Sequence, residues 1–172
     1  MNKQNPMLEP RVAKVTVNVG VGEAGERLEK AMKVLEMLTG RKPVKTISKT
    51  TNKDFGIRKG LPIGCKVTLR KKDAEEFLKK VFALRDNKIP SYSFDDNGNF
   101  SMGVPDYTLF PDQKYDPDIG IFGMDICVTL ERPGHRIKHR RVSRRKIPRR
   151  HRITRKEAMD FIRKKFNVEV IE

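Results

Sequence analysis

Cysteine is scarce: only Cys65 and Cys127 occur in 172 residues, 62 positions apart and without a CxxC pair. That spacing offers neither a disulfide framework nor a thiolate metal site, so both read as small buried apolar residues. Long apolar runs are also missing. None approaches the ~18 residues of a membrane-spanning helix and no charged-then-apolar signal follows Met1, so a soluble, cytoplasmic chain without a membrane partner is expected. Acid is absent from residues 132–156, which hold 13 basic side chains, ten of them Arg. There is no GxxxxGK followed by Ser or Thr, which leaves phosphoryl transfer without support.

What remains is basic and unevenly so. The formal charge of +16 divides into +1 for 1–40, +10 for 41–90, −7 for 91–131, +13 for 132–156 and −1 for 157–172. Charge concentrated in this way suits a polyanion, because each neutralised phosphate releases condensed counterions. Apolar residues make up 37% of the chain, yet 132–156 contributes only Ile137, Val142, Ile147 and Ile153. The expectation is one domain, residues 1–172, with 132–156 a basic RNA-binding insertion before the C-terminal helix, unable to close a core alone, mobile until it meets its partner, and removable without loss of folding.

Periodicity outlines the elements. Val12, Val15, Val17 and Val19 mark a strand, with Lys14, Thr16 and Asn18 on its other face. Leu28, Ala31, Met32, Leu35 and Leu38 mark a helix that Gly40 stops. Short strands are predicted at 44–48 and 63–70, then a helix opened by Asp73 as N-cap and striped by Ala74, Phe77, Leu78, Val81 and Phe82. Asn97-Gly98 between Phe94 and Phe100 predicts a type I′ hairpin. Residues 104–120 read as a structured loop and 121–131 as a strand. Thr154 with Glu157 is a capping box for a last helix. The fold class is α+β, a mainly antiparallel sheet with helices packed on one face and its polar face free.

Several motifs compete for function. Gly20-Val-Gly22-Glu-Ala-Gly25 spells GxGxxG, but no acid lies between Glu36 and Asp54 to hold a ribose, so the glycines read as a tight turn. His135, His139 and His151 lie among arginines that oppose a divalent ion, so no metal and no cofactor is expected. Asp95, Asp96, Asp106, Asp112, Asp116, Asp118, Asp125 and Glu131 read as turn formers or a solvated acidic face. They leave open a magnesium-dependent RNA-processing enzyme, and the basic charge leaves open a chromatin-like DNA binder. Residues 41–59 mix cations with hydroxyls, Asn52 and Phe55, which suits irregular RNA. Arginine predominance in 132–156 favours bidentate phosphate contacts.

The motifs Lys14-Val-Thr-Val-Asn-Val-Gly-Val-Gly-Glu-Ala24, Thr39-Gly-Arg-Lys-Pro43, Leu61-Pro-Ile-Gly-Cys-Lys-Val-Thr-Leu-Arg70, Ser93-Phe94, Gly98-Asn-Phe-Ser-Met-Gly103, Phe110-Pro111 and Gly123-Met-Asp125 resemble, in order, those of the ribosomal large-subunit protein five family. Glu131-Arg-Pro-Gly134 and Ile147-Pro-Arg-Arg-His151 resemble its archaeal and eukaryotic branch. The long N-terminal helix typical of bacterial members has no counterpart here. The resemblance implies a non-enzymatic structural constituent of the central protuberance. Its implied partners are 5S rRNA, 23S rRNA, peptidyl-site tRNA, neighbouring ribosomal proteins and a small-subunit head protein. It implies 5S rRNA contacts on the open sheet face at Asn18, Arg41, Lys42, Lys45 and Thr68. Arg41 stands where bacterial members tend to carry Gln. The loop implied to reach tRNA runs from Lys49 through Thr50, Thr51, Asn52, Lys53, Phe55 and Arg58 to Lys59. On charge alone, Arg132, Arg136, Lys138, Arg140, Arg141, Arg144, Arg145, Arg149, Arg150 and Arg152 are assigned to 23S rRNA.

Overall fold

The alternating valines form β1 (Arg11–Gly20), and Gly22 and Gly25, both at positive φ, turn the chain into α1 (Glu26–Thr39). A computed structural model describes residues 5–111 and 113–171. Asp112, one of the acids noted above, lies outside them. The chain continues through β2 (Val44–Ile47), β3 (Pro62–Leu69), α2 (Lys71–Ala83), β4 (Lys88–Pro90), β5 (Phe100–Val104), β6 (Met124–Glu131), α3 (Arg136–His139), α4 (Arg155–Phe166) and β7 (Glu169–Ile171). Five strands make one sheet in the order β2-β3-β1-β6-β5, and β4 with β7 makes a second. The expected α+β class is observed.

Two compact units divide the residues, Val15–Leu69 with Met102–Cys127, and Met1–Lys14 with Arg70–Ser101 and Val128–Glu172. In the first, β1 pairs antiparallel with β3, and β3 with β2. Val15, Val17 and Val19 sit opposite Leu69, Val67 and Cys65. All six are buried, as are Leu28, Ala31, Val34 and Leu35 of α1. Fully burying each such side chain contributes about 1.5–3 kcal/mol, which places α1 over this face. Gly40 at φ 62 ends α1 and donates its N–H to the Glu36 carbonyl, as its position after the stripe predicts.

In the second unit, Ala74, Phe77, Leu78, Val81 and Phe82 of α2 are buried, matching the predicted stripe. Phe82 stacks on Phe100 at 6.2 Å and meets Phe166 edge-on at 5.2 Å. The start of α2 differs from expectation. Arg70 is its N-cap and Asp73 lies in the first turn, where its charge still favours the positive helix end. The hairpin differs too. A single antiparallel bridge joins Phe94 to Phe100, and only Gly98 of the central pair has positive φ. Asp95 Oδ1 accepts from the amides of Asn97 (2.9 Å) and Asn99 (2.7 Å), so an Asx-type turn replaces type I′. β7, which pairs parallel with β4, is an element the sequence reading lacked.

Cys65 is buried, and that burial pushes its thiol up to about 11. Cys127 corrects the expectation. It alternates with Ile126 and Val128 and is exposed, its thiol raised by partial burial and then by Asp125.

Candidate nucleic-acid interface

Cross-strand partners share a face, so the register assigns each predicted side chain to one side of the sheet. Three rows form the side away from α1: Thr16 with Thr68, Asn18 with Lys66 and Val44, and Gly20 with Gly64 and Thr46. Thr68 and Lys66 are exposed, and Thr16, Asn18 and Thr46 half-buried. Gly64 keeps the third row flat. A Cβ there would lie 2.8 Å from the Val19 carbonyl oxygen and 2.9 Å from Thr46 Oγ1. Asn18 and Thr68 therefore share the open face as expected. Lys45 does not, because it pairs with Cys65 and so projects from the opposite side of the exposed edge strand. Arg41 and Lys42 are exposed just before β2, and the Arg41 amide donates to Thr39 Oγ1. Lys66 is a face residue the sequence reading missed, although the alternation that picked out Thr68 also points to it.

Residues 48–61 form a closed excursion between β2 and β3. Ser48 donates its amide to Leu61 O and its hydroxyl to Thr50 O, while Gly60 donates to Ser48 O. Asn52 and Ile57 exchange backbone bonds of 2.8 and 2.9 Å. Two candidates serve the loop itself. Thr51 Oγ1 accepts from the Lys59 amide at 3.1 Å, and Asn52 Oδ1 from the Asp54 amide at 2.9 Å. Lys49, Thr50, Lys53, Arg58 and Lys59 are exposed, and Phe55 stands 74% exposed at the tip.

The arginine-rich segment is built into its unit, which corrects the reading of it as separable. Arg132 is only 8% exposed, and its guanidinium donates to Glu157 Oε1 at 2.8 Å and to the carbonyls of Arg150 (3.3 Å) and Arg152 (3.5 Å). Burial raises the Glu157 pKa, but the Thr154 amide, the Arg132 charge and the Thr154 hydroxyl outweigh it, leaving the carboxyl below its ordinary range. Ile147 and Ile153 are buried, and Thr154 caps α4 in the predicted capping box. Between these anchors Arg136, Lys138, Arg141, Arg144, Arg145, Arg149, Arg150 and Arg152 are exposed. Arg140 is exposed as well, though its guanidinium donates to Ser143 O at 2.6 and 2.9 Å.

The other motifs take structural places. The amides of Val21 and Gly22 both donate to Ile63 O, at 3.1 and 2.8 Å, so the glycine-rich turn uses its own donors to hold β3. Asp106 and Asp116 accept from the amides of Thr108 and Asp118, as the turn reading of the acids expects. His151 Nε2 donates to Pro133 O at 2.8 Å, and its ring meets that of His135 edge-on at 6.0 Å.

Fold and surface thus define an α+β protein with a hydrogen-bonding sheet face left uncovered and an anchored cationic loop. A family model described as "Ribosomal protein L5" matches residues 5–58, and the model for the C-terminus of the same ribosomal family matches 62–161. The chain is 56% identical over 169 residues to "Large ribosomal subunit protein uL5" of Sulfurisphaera tokodaii, covering 98% of this chain and 96% of that protein. It is 55% identical to the protein of that name in Methanococcus vannielii, with 98% and 95% covered. For the one in Thermoplasma acidophilum the identity is 56%, with 97% and 99% covered. The chain belongs to the ribosomal protein L5 family, in its archaeal-type branch.

Proposed function

We propose that this chain is a structural constituent of the large ribosomal subunit that binds 5S rRNA through its open sheet face and helps form the central protuberance. The observation that carries the proposal is the row geometry. Thr16, Asn18 and Thr68 offer short hydrogen-bonding groups, and Lys66 a longer cationic one, on a surface kept flat at Gly64. The wide, shallow minor groove of A-form RNA, with its 2′-hydroxyls, suits such a surface. Arg41 and Lys42 flank it, while the exposed cations of 136–152 neutralise 23S rRNA phosphates. The loop tip at Phe55 reaches toward peptidyl-site tRNA, and other central-protuberance ribosomal proteins and a small-subunit head protein complete the partners. No chemical step is assigned, because Asp95, Asp106 and Asp116 hold backbone amides in turns.

Filter binding of a 5S rRNA transcript tests this. If 6 to 10 phosphates are engaged, affinity falls by ~10³–10⁵ between 50 and 200 mM salt. Duplex DNA of equal length should compete poorly. A flat salt response, or displacement by DNA as efficient as by RNA, rejects the proposal.

A further inference from the structure

Under the arginine-rich segment lies a cleft of about 750 Å³, a size that holds one small organic ligand. Beside Arg152, whose Nε donates to Ile147 O at 3.4 Å, its cations are Lys138, Arg144, Arg145 and Lys146. Among the described residues, none of these four is held in an ion pair. Ile147, 8% exposed, contributes apolar surface, with Leu130 and Ile153 buried beneath at 2% each. Asn97 and Thr129 add an amide and a hydroxyl at the wall. The acid of the lining is Glu131, whose carboxylate lies 3.6 Å from Nδ1 of His135. Nε2 of that ring is buried and makes no hydrogen bond. A buried polar atom without a partner costs free energy until a ligand or water supplies one.

Cations alone would suit any phosphate, but an apolar floor beside amide, hydroxyl and imidazole groups suits a base attached to one. We infer that this cleft receives a single everted ribonucleotide of rRNA, its phosphate on Lys138, Arg144, Arg145 and Lys146 and its base against Ile147. The edge of the base then meets Asn97, Thr129 and His135. A paired duplex is too wide to enter, whereas unstacked nucleotides of loops and bulges are the elements that proteins read by burying a base. This inference rests on the rRNA-binding reading and adds to it a position at which one nucleotide leaves its helix.

The test titrates the full chain with 5′-UMP, 5′-AMP, ribose 5-phosphate and inorganic phosphate, following the NMR amide signals of Asn97, Thr129 and Ile153. One of the nucleotides should bind at least about fivefold more tightly than ribose 5-phosphate, the gain from one net hydrogen bond to the base edge. Asn97→Trp, at an exposed turn position on the wall, narrows the cleft and keeps every cation. It should remove the nucleotide advantage while leaving inorganic phosphate binding within twofold. Equal affinities for nucleotide, ribose 5-phosphate and phosphate overturn the inference, as does tighter binding of hexa-aspartate than of either nucleotide. Retention of 5S and 23S rRNA fragments on filters is measured on the same samples. Equal affinities with intact rRNA retention overturn the cleft alone, whereas loss of retention overturns the rRNA reading and the cleft's assignment with it.

Discussion

Arg132 opens the acid-free run, yet its side chain turns inward to Glu157, the first acid beyond that run, so its replacement should be read in stability before it is read in RNA affinity. Arg132→Met keeps most of the apolar stem and removes the guanidinium. The lost bond to Glu157 is charge-assisted and short, at 2.8 Å, and such bonds contribute about 1.5–3 kcal/mol. The bonds to the carbonyls of Arg150 and Arg152, at 3.3 and 3.5 Å, are long and add little. The Glu157 side chain is 44% exposed and rehydrates once abandoned, so the ~3–5 kcal/mol cost of orphaning a fully buried charge does not apply. The expected loss is about 2–3 kcal/mol, a fall in Tm of about 4–12 °C for a chain of this size. Circular dichroism melts at pH 7 measure it. Glu157→Gln and the double variant complete a cycle in which the two losses should be far from additive. The folded-state pKa of Glu157 lies below its ordinary value of 4.5, so its contribution is present above that pH and fades as pH falls through the lowered value. The Tm gap between the native chain and Glu157→Gln should therefore narrow in acid. If Arg132→Met melts within 1 °C of the native chain and loses as much rRNA affinity as Arg149→Met, Arg132 is an RNA contact and the anchoring argument fails.

Gly98→Ala should be strongly destabilising, because Gly98 has φ +77 and a Cβ there would sit 2.7 Å from Ile153 Cγ2. A Tm unchanged on calorimetry would refute that packing. Asn18→Ala should weaken 5S rRNA binding by about 1–3 kcal/mol in filter assays, through an unpaired RNA group, and leave Tm nearly unmoved. Lys45→Ala, on the opposite face, should cost less than Asn18→Ala, and the reverse order would discredit the row assignment. Phe55→Ser should leave the melt unaltered, given its 74% exposure, and reduce peptidyl-site tRNA binding to assembled large subunits. An unchanged tRNA affinity would remove the loop from that role.

Local signals transmitted faithfully from sequence to structure, and signals that depended on a distant partner did not. The capping box at Thr154 and the stop at Gly40 need only neighbours within four residues, and both appear as read. Asp73 failed as a cap because an acid in the first turn gains from the same helix field as an acid at the cap, so the pattern fits either start. Asn97-Gly98 failed as type I′ because Asp95 captures two amides and fixes a longer turn. β7 pairs with β4 about 80 residues away, beyond anything a three-residue strand can announce. Lys45 lay in a recognisable strand, but register decides its face, and a shift of one position reverses every side chain. Cys127 was legible in the alternation of Met124, Ile126, Val128 and Leu130, and a compositional rule about cysteine concealed it.

The arginine-rich segment makes the same point energetically. Counted by composition it holds too few apolar residues to fold, and deleting it should then spare the core. In the structure Ile153 is buried against Gly98, Thr154 caps α4, and Arg132 ties the first position of the segment to the turn that ends it. Removing 132–156 therefore removes a helix cap, two buried isoleucines and the buried arginine paired with Glu157 together, and the truncated chain should lose its cooperative melt. Those anchors also hold the exposed cations at set positions before any RNA arrives, so less conformational entropy is lost when phosphates are engaged than a free tail of equal charge would lose. Charge-neutralising substitutions between Arg136 and Arg150 separate the two roles. They should lower rRNA affinity and its salt slope while Tm stays within the few degrees that exposed positions allow. A melt that collapses with the charge would mean that the cations hold the fold, and the division between anchor and contact would be lost.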